Sequence, residues 1–369
     1  MSRVLLVPDL PLEQWPSMDR YALRLAHALA QADPPDLDIS MAGPAGTLGD
    51  APARSVSEWR RYLARYWSYP RRVRRQRTHI LHVLDHSYGH ILTGRSVPGI
   101  VTVHDLLPVM VLERPATRAR DRLRNALLRR SLAGMRSADA WIVSTAWMAG
   151  ELASWLGRSD HIHVIPYGAD DAFFQEGTPT DRARGRTAAG ATDDTFLLLH
   201  VGNVTDRKNL PGVLAALAGL RARGINARLW QVGGRFTPAQ HRLIAQHGLG
   251  PHVHQTPRAT EVQLIEAYRA ADALLFPSLY EGFGLPVLEA MAVGLPVVVS
   301  NLPALVEVGG DAVVAVGGRD PEPFVTALAA LAANPTARAE RVAGGRARAA
   351  RYTWAAAAER TIKVYRRHA

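Results

Sequence analysis

The chain has 369 residues, 47% of them hydrophobic, enough for two ordinary domains with separate cores. It has no cysteine, which excludes disulfides and thiolate metal sites and fits a reducing compartment. Lys and Arg outnumber Asp and Glu by 44 to 33, and the formal net charge of +11 directs attention to anionic partners.

Taken in chain order, the N-terminal stretch MSRVLLVPDLPLEQWPSMDRY holds only a short apolar run, VLLV, before Pro8 and Asp9. That run is too short for a signal peptide or a spanning helix and predicts a buried first strand. No later apolar run comes close to the length of a membrane span, so a soluble, cytoplasmic protein is expected. RVLLVP leads into DRYALRLAHALAQA; ILHVLD and GIVTVHDL lead into RLRNALLRRSLAGM; AWIVST leads into AWMAGELASWLG. The second half repeats this rhythm with FLLLHVG, ARLWQVGG, ALLFPS and PVVVS, each followed by an amphipathic segment. Continuous apolar strands separated by helices predict parallel sheets covered on both faces. The fold class is therefore α/β, with two facing doubly wound domains whose ligands lie beyond the strand C-termini. Between the halves, ADDAFFQEGTPTDRARGRTAAGATDD is rich in Ala, Gly, Thr and charge and reads as a linker. The expected division is 1–168, a linker over 169–194, a second domain over 195–350, and a terminal helix over 351–369.

Two arginine clusters fall in the first half. Residues 60–77 hold eight arginines and no acid, and residues 114–136 hold eight against one Asp. Three readings compete: a solvated helix face, an anionic membrane surface, and nucleic acid. The solvated face leads. The membrane surface comes second, because Trp59, Tyr62, Tyr66, Trp67 and Tyr69 interleave with the arginines of 60–77. Nucleic acid comes last, since no recognisable motif accompanies the charge.

Two strand–loop–helix units carry the chemistry. In PSLYEGFGLPVLEAM, Gly282 and Gly284 allow close backbone approach and Pro286 suits the first turn of a helix. The helix N-terminus favours an anion, while Glu281 and Glu289 suit neutral hydroxyls, as acids do with ribose in dinucleotide sites. In LLLHVGNVTDRKNLPG, Gly202 ends a strand and Arg207–Lys208 precede a helix, where two cations are unfavourable unless an anion sits between them and the opposite loop. Together Arg and Lys suit a diphosphate. Asp36-Leu37-Asp38 matches a D-x-D metal motif only by chance, and His161/His163 and His252/His254 lack a third ligand. No metal site is expected.

GNVTDRKN (202–209), VGG (232–234), PSLYEGFGLPVLEAMAVGLPVV (277–298), VIPYGADDAFF (164–174) and TVHDLLP (102–108) together resemble the retaining family 4 glycosyltransferases of GT-B fold, over nearly the whole chain. Glu281 to Glu289 matches that family's E-x7-E motif. The resemblance implies transfer of a sugar from a nucleoside-diphosphate sugar to a saccharide or lipid-linked acceptor, with no cofactor and no metal. It implies that Arg207 and Lys208 neutralise the diphosphate, Glu289 binds the ribose, and Glu281 contacts the donor sugar. Backbone groups of Phe283, Gly284 and Leu285 would meet phosphate or sugar, with Gly202, Gly233 and Arg258 completing the donor site. His104 would touch the donor sugar near its reactive carbon, so Glu281, His104, Arg207 and Lys208 form the expected catalytic set. The terminal segment YTWAAAAERTIKVYRR resembles a helix that crosses back onto the first domain. The loop PDLPLEQWPSMDRY lacks the usual glycine pair, leaving Ser17 and Met18 as the only candidates there, and VLDHSYGH suggests His86 and Tyr88 on the acceptor side. The alternative is a non-catalytic nucleotide-sugar-binding or membrane-adaptor protein on the same scaffold, without the need to keep both motif sets.

Overall fold

The computed structural model describes residues 1–13, 15–43, 57–113 and 118–369. Arg114, the first arginine of the second cluster, lies outside them. The chain forms two compact units, Met1–Gly168 with Thr353–Ala369, and Ala169–Tyr352.

The first unit is built on a six-stranded parallel sheet in the order β2-β1-β3-β4-β5-β6. The strands are β1 (Ser2–Val7), β2 (Leu37–Met41), β3 (Ile80–Val83), β4 (Gly99–Val103), β5 (Ala140–Val143) and β6 (Ile162–Val164). β3, β4 and β5 are buried along their whole length, as strands covered on both faces must be. The second unit repeats the plan with β7 (Phe196–Val201), β8 (Ala227–Val232), β9 (Val253–Thr256), β10 (Ala273–Phe276), β11 (Val297–Ser300) and β12 (Val314–Val316). Its order is β12-β11-β10-β7-β8-β9. In each sheet the chain runs outward from one central strand and then returns to that strand's other side. The reversal falls between β1 and β3 in the first unit and between β7 and β10 in the second. Crevices at such reversals are where doubly wound sheets hold ligands. Among the described residues no helix is long and apolar enough to cross a membrane.

Residues 169–194 are not a structureless linker. They carry helices at Asp171–Phe174 and Pro179–Ala188 and belong to the second unit. Thr178 and Asp181 close a capping box with Pro179 in the first turn, so the Pro-Thr-Asp run that reads as linker is a helix start. Arg182 and Arg186 then reach back to the Asp272 carboxylate at 2.5 and 2.9 Å.

The terminal helix, Trp354–His368, packs in the first unit beside helix Pro16–Ala32, as the resemblance implied. Thr353 caps it, and Ala358, Thr361, Ile362 and Tyr365 form its buried face at helical spacing. Tyr365 Oη lies 2.7 Å from His82 Nδ1, and His82 Nε2 lies 2.9 Å from Thr102 Oγ1. Burial, then the nearby His104, holds the His82 pKa down at about 3, so this ring is neutral and needs both partners. Tyr365→Phe should therefore cost about 1–3 kcal/mol by leaving one buried ring nitrogen unpartnered. An unchanged urea midpoint in that variant would remove this bond from the forces holding the helix.

Candidate active site

In the second unit, the loops after β7 and β10 meet at the reversal of the sheet. β7 ends at Val201, and Gly202 gives room for the Lys208 side chain, whose Cδ would stand 3.2 Å from a Cβ there. Asn209 takes a left-handed conformation (φ 50°) and caps helix Leu210–Ala222 by accepting from the Gly212 amide. The Leu279 amide donates to the Arg207 carbonyl at 2.7 Å, which clips the two loops together.

Glu281, from the loop after β10, lies with Oε1 2.6 Å from Lys208 Nζ and 3.1 Å from Arg207 Nη1. Lys208 is 6% exposed and Glu281 8%. The anion that the sequence demanded beside the two cations is thus supplied by the chain itself. Burial would raise the Glu281 carboxyl, but Lys208 and then Arg207 outweigh it and hold it below the ordinary value. Lys208 Nζ also sits 4.4 Å over the Phe276 ring. Beneath it His200 is fully buried, and burial followed by the Lys208 charge lowers its pKa to about 3, so it adds no third cation.

Gly233 adopts φ 102°, and a Cβ there would approach the Gly202 carbonyl oxygen to 2.8 Å. Only glycine fits. Gln231 donates from Nε2 to the carbonyls of both Gly202 and Gly233 and accepts from Gln255 at 2.9 Å, fixing the two glycine loops. Sequence reasoning passed over Gln231, although an amide between Trp230 and Val232 at the end of β8 was a visible signal. The Gly234 amide donates to the Pro257 carbonyl, which sets the exposed Arg258 one residue beyond this loop.

Helix Leu285–Val293 starts after Gly284 in the left-handed region (φ 98°), with Pro286 in its first turn. Glu289 stands one turn in, buried, with Oε2 accepting from Tyr268 Oη at 2.8 Å. Phe283 is buried and packs its ring near Tyr352, so the ring faces away from any ligand at this loop.

The remaining expected residues lie in the first unit. His104 is buried with both ring nitrogens engaged: Nε2 donates to the Leu84 carbonyl at 2.8 Å, and Nδ1 accepts from Tyr167 Oη at 2.5 Å. A ligand contact through this ring requires one of those bonds to open. Ser17 is exposed in the first turn of helix Pro16–Ala32. Tyr88 is not an acceptor-side residue. Its ring is fully buried, its hydroxyl donates to Glu13 and accepts from the Leu10 amide, and Arg65 lies 4.5 Å over its face. The cause is Gly89: its backbone packs directly on Gly134 of helix Ala119–Arg136 and draws residues 86–92 into the core. His86, by contrast, stays at the strand ends beside Asp85 and Asp105. Among the described residues no three His, Cys, Asp or Glu side chains gather as a metal site.

Two parallel, doubly wound units with these paired loops define the GT-B class of sugar-nucleotide folds. Residues 18–173 match the model described as Glycosyltransferase Family 4, and residues 181–348 match Glycosyl transferases group 1. The chain belongs to the family 4, group 1 glycosyltransferases. It is 35% identical over 238 residues to D-inositol 3-phosphate glycosyltransferase of Xylanimonas cellulosilytica, covering 62% of this chain and 57% of the relative. The enzyme of the same name from Corynebacterium diphtheriae is 30% identical over 283 residues, 73% of this chain and 65% of the relative. The chain thus spans little more than half the length of several curated relatives it matches. Sucrose-phosphate synthase from Thermosynechococcus elongatus shares the fold with a TM-score of 0.76 at 21% identity, covering 100% of this chain and 99% of that one. Anabaena HepE, solved with UDP and glucose, does so at 0.74 and 15%, covering 99% and 100%.

Because the folded-state pKa of Glu281 is depressed, its pairing stabilises the fold above the ordinary value of 4.5 and is lost as pH falls through the lower folded-state value. Near neutral pH Glu281→Gln should cost about 3 kcal/mol, since it leaves Lys208 buried against a neutral partner. Urea unfolding of both proteins across pH should show that gap closing below 4.5. A gap independent of pH would contradict the pairing.

Proposed function

We propose that the chain transfers a glycosyl group from a nucleoside-diphosphate sugar to a hydroxyl of a saccharide or lipid-linked acceptor, with retention at the anomeric carbon and without a metal. The observation that carries this reading is the Arg207–Lys208–Glu281 cluster at the reversal of the second sheet. The donor's diphosphate takes the place of the Glu281 carboxylate on the two cations. Glu281, released, accepts from hydroxyls of the donor sugar, and Glu289 accepts from the ribose. The bond from the anomeric carbon to the β-phosphate oxygen breaks while the acceptor oxygen bonds to the same face, and the acceptor proton passes to the departing phosphate. Negative charge grows on that phosphate and positive character on the sugar ring. Fixed cations and the N-terminus of helix Leu285–Val293 stabilise the departing charge, which is the main catalytic demand. Two side-chain cations already supply what a divalent ion would, which supports the metal-free reading.

The arginine cluster at 60–77 supports an anionic membrane surface as a partner. Residues 58–74 are helical, and Trp59, Leu63 and Trp67 form one exposed stripe at four-residue spacing, the two tryptophans 62% and 61% exposed. Arg60, Arg71, Arg74 and Arg75 are exposed around it, whereas Arg65 and Tyr69 are buried and take no part. Exposed aromatics flanked by arginines suit a headgroup layer. Flotation with liposomes containing phosphatidylserine should carry the chain up at low salt, and Trp59→Ser/Trp67→Ser should leave it below. Wild type remaining below at low salt would remove the membrane from its partners.

The donor reading is tested by thermal shift with UDP, GDP, ADP and dTDP and their sugars, with and without EDTA. A diphosphate at one hundred times its Kd should add about 2.7 kcal/mol of stability, with EDTA making no difference. Lys208→Ala and Glu289→Ala should each lower turnover at least tenfold, about 1.4 kcal/mol. A shift without turnover on any acceptor would turn the reading toward a binding protein. No shift at all would remove the nucleotide.

A further inference from the structure

His104 follows β4 directly, at the C-terminal edge of the first sheet, where doubly wound units meet their ligands. Its Nε2 lies 2.8 Å from the Leu84 carbonyl, which only accepts, so the ring proton is on Nε2. Nδ1 is therefore an acceptor, and Tyr167 Oη stands 2.5 Å from it. The phenol is buried, and burial pushes its pKa well above the ordinary value, so it keeps its proton and serves as the donor. Its oxygen in turn accepts from the Ser144 hydroxyl. Tyr167 has little room to turn away. Its ring stacks on Trp354 with centroids 6.4 Å apart and planes 12° apart, and Tyr21 packs 4.9 Å from it and edge-on to His104 at 4.8 Å. The next residue, Gly168, lies against the start of the terminal helix, where a Cβ would stand 2.2 Å from the Trp354 amide nitrogen. The backbone that carries Tyr167 is pinned there.

We propose that Tyr167 is a positioning residue whose hydroxyl holds His104 as the neutral Nε2–H tautomer, by occupying the one ring atom that can take a second proton. The consequence for turnover rests on the function proposed above; the lock itself does not. The titratable groups around the ring are Asp85 and His86 after β3, the neighbouring Asp105, His82 on β3, and Tyr21 of helix Pro16–Ala32. Burial lowers the pKa of His104, Asp85 and then Asp105 work against that, and His86 works with it. With two carboxylates this close, a vacant Nδ1 invites a proton, and the phenol keeps the atom filled. Positive character grows on the donor sugar as its bond to phosphate breaks, and an imidazolium at the strand ends would oppose it. A neutral ring fixed in one orientation does not. In Tyr167→Phe the ring loses its donor, and its pKa should rise to about its ordinary value of 6.5.

The test is NMR of the imidazole nitrogens on the full chain with isotope-labelled histidine, the His104 signal being identified by its loss in His104→Asn. In the wild type this ring should show the Nε2–H pattern and no titration between about pH 5.5 and about pH 8. An Nδ1–H ring, or one that titrates in that range, overturns the proposal before any Tyr167 variant is made. In Tyr167→Phe the same signal should titrate. Turnover is read as release of nucleoside diphosphate from UDP-glucose, GDP-mannose, ADP-glucose or dTDP-glucose, whichever the wild type uses. Relative to wild type, kcat of Tyr167→Phe should fall about tenfold at about pH 5.5 and recover at about pH 8, with KM for the donor unchanged. A loss of the same size at every pH is what a packing defect gives, and it overturns the proposal. So does a variant whose His104 signal stays as in the wild type. A wild type that turns over none of the four donors sinks the transferase, and the tautomer measurement still decides the lock.

Discussion

The pair of Lys208 and Glu281, 2.6 Å apart and nearly out of water, joins the loop after β7 to the loop after β10. Each charge alone would be costly at that depth, and each makes the other tolerable. Arg207 shares the same carboxylate oxygen from a more exposed position, so the cluster carries one positive charge in excess when the carboxylate is ionised. That excess is what a diphosphate can use. The cluster is therefore a site whose cations are kept in place by an internal anion until an external one competes for them.

Much of the second unit serves to hold this arrangement still. Gly202 leaves space for the lysine stem, Gly233 lets two backbones nearly touch, and Gln231 bonds to both glycine carbonyls. His200 below is kept neutral by burial and by the lysine, and so does not compete for Glu281. In the first unit the same topology leads to a different surface, with acids at the strand ends and its one nearby arginine turned inward.

The sequence made the central strands such as β5, β10 and β11 plain, because a strand covered on both faces is mostly apolar. The helix start after β10 was legible too, because Gly284 and Pro286 together admit few backbone conformations. What stayed hidden depended on tertiary partners. Thr178-Pro179-Thr180-Asp181 looks like linker until Arg182 and Arg186 find Asp272 across the fold. Tyr88 sits in a polar stretch that reads as a loop, and only the contact of Gly89 with Gly134 shows why it is buried. Asp9 follows a strand and a proline and looks solvated. Its burial beside Asp85 belongs to the three-dimensional arrangement, and no spacing announces it.

The most direct measurement is a crystal structure of the chain with a nucleoside diphosphate bound. Phosphate oxygens should lie within hydrogen-bond distance of Lys208 Nζ and the Arg207 guanidinium, with Glu281 turned off Lys208 and the ribose on Glu289. A diphosphate bound elsewhere, with the Lys208–Glu281 pair intact, would contradict the exchange on which the proposed chemistry depends.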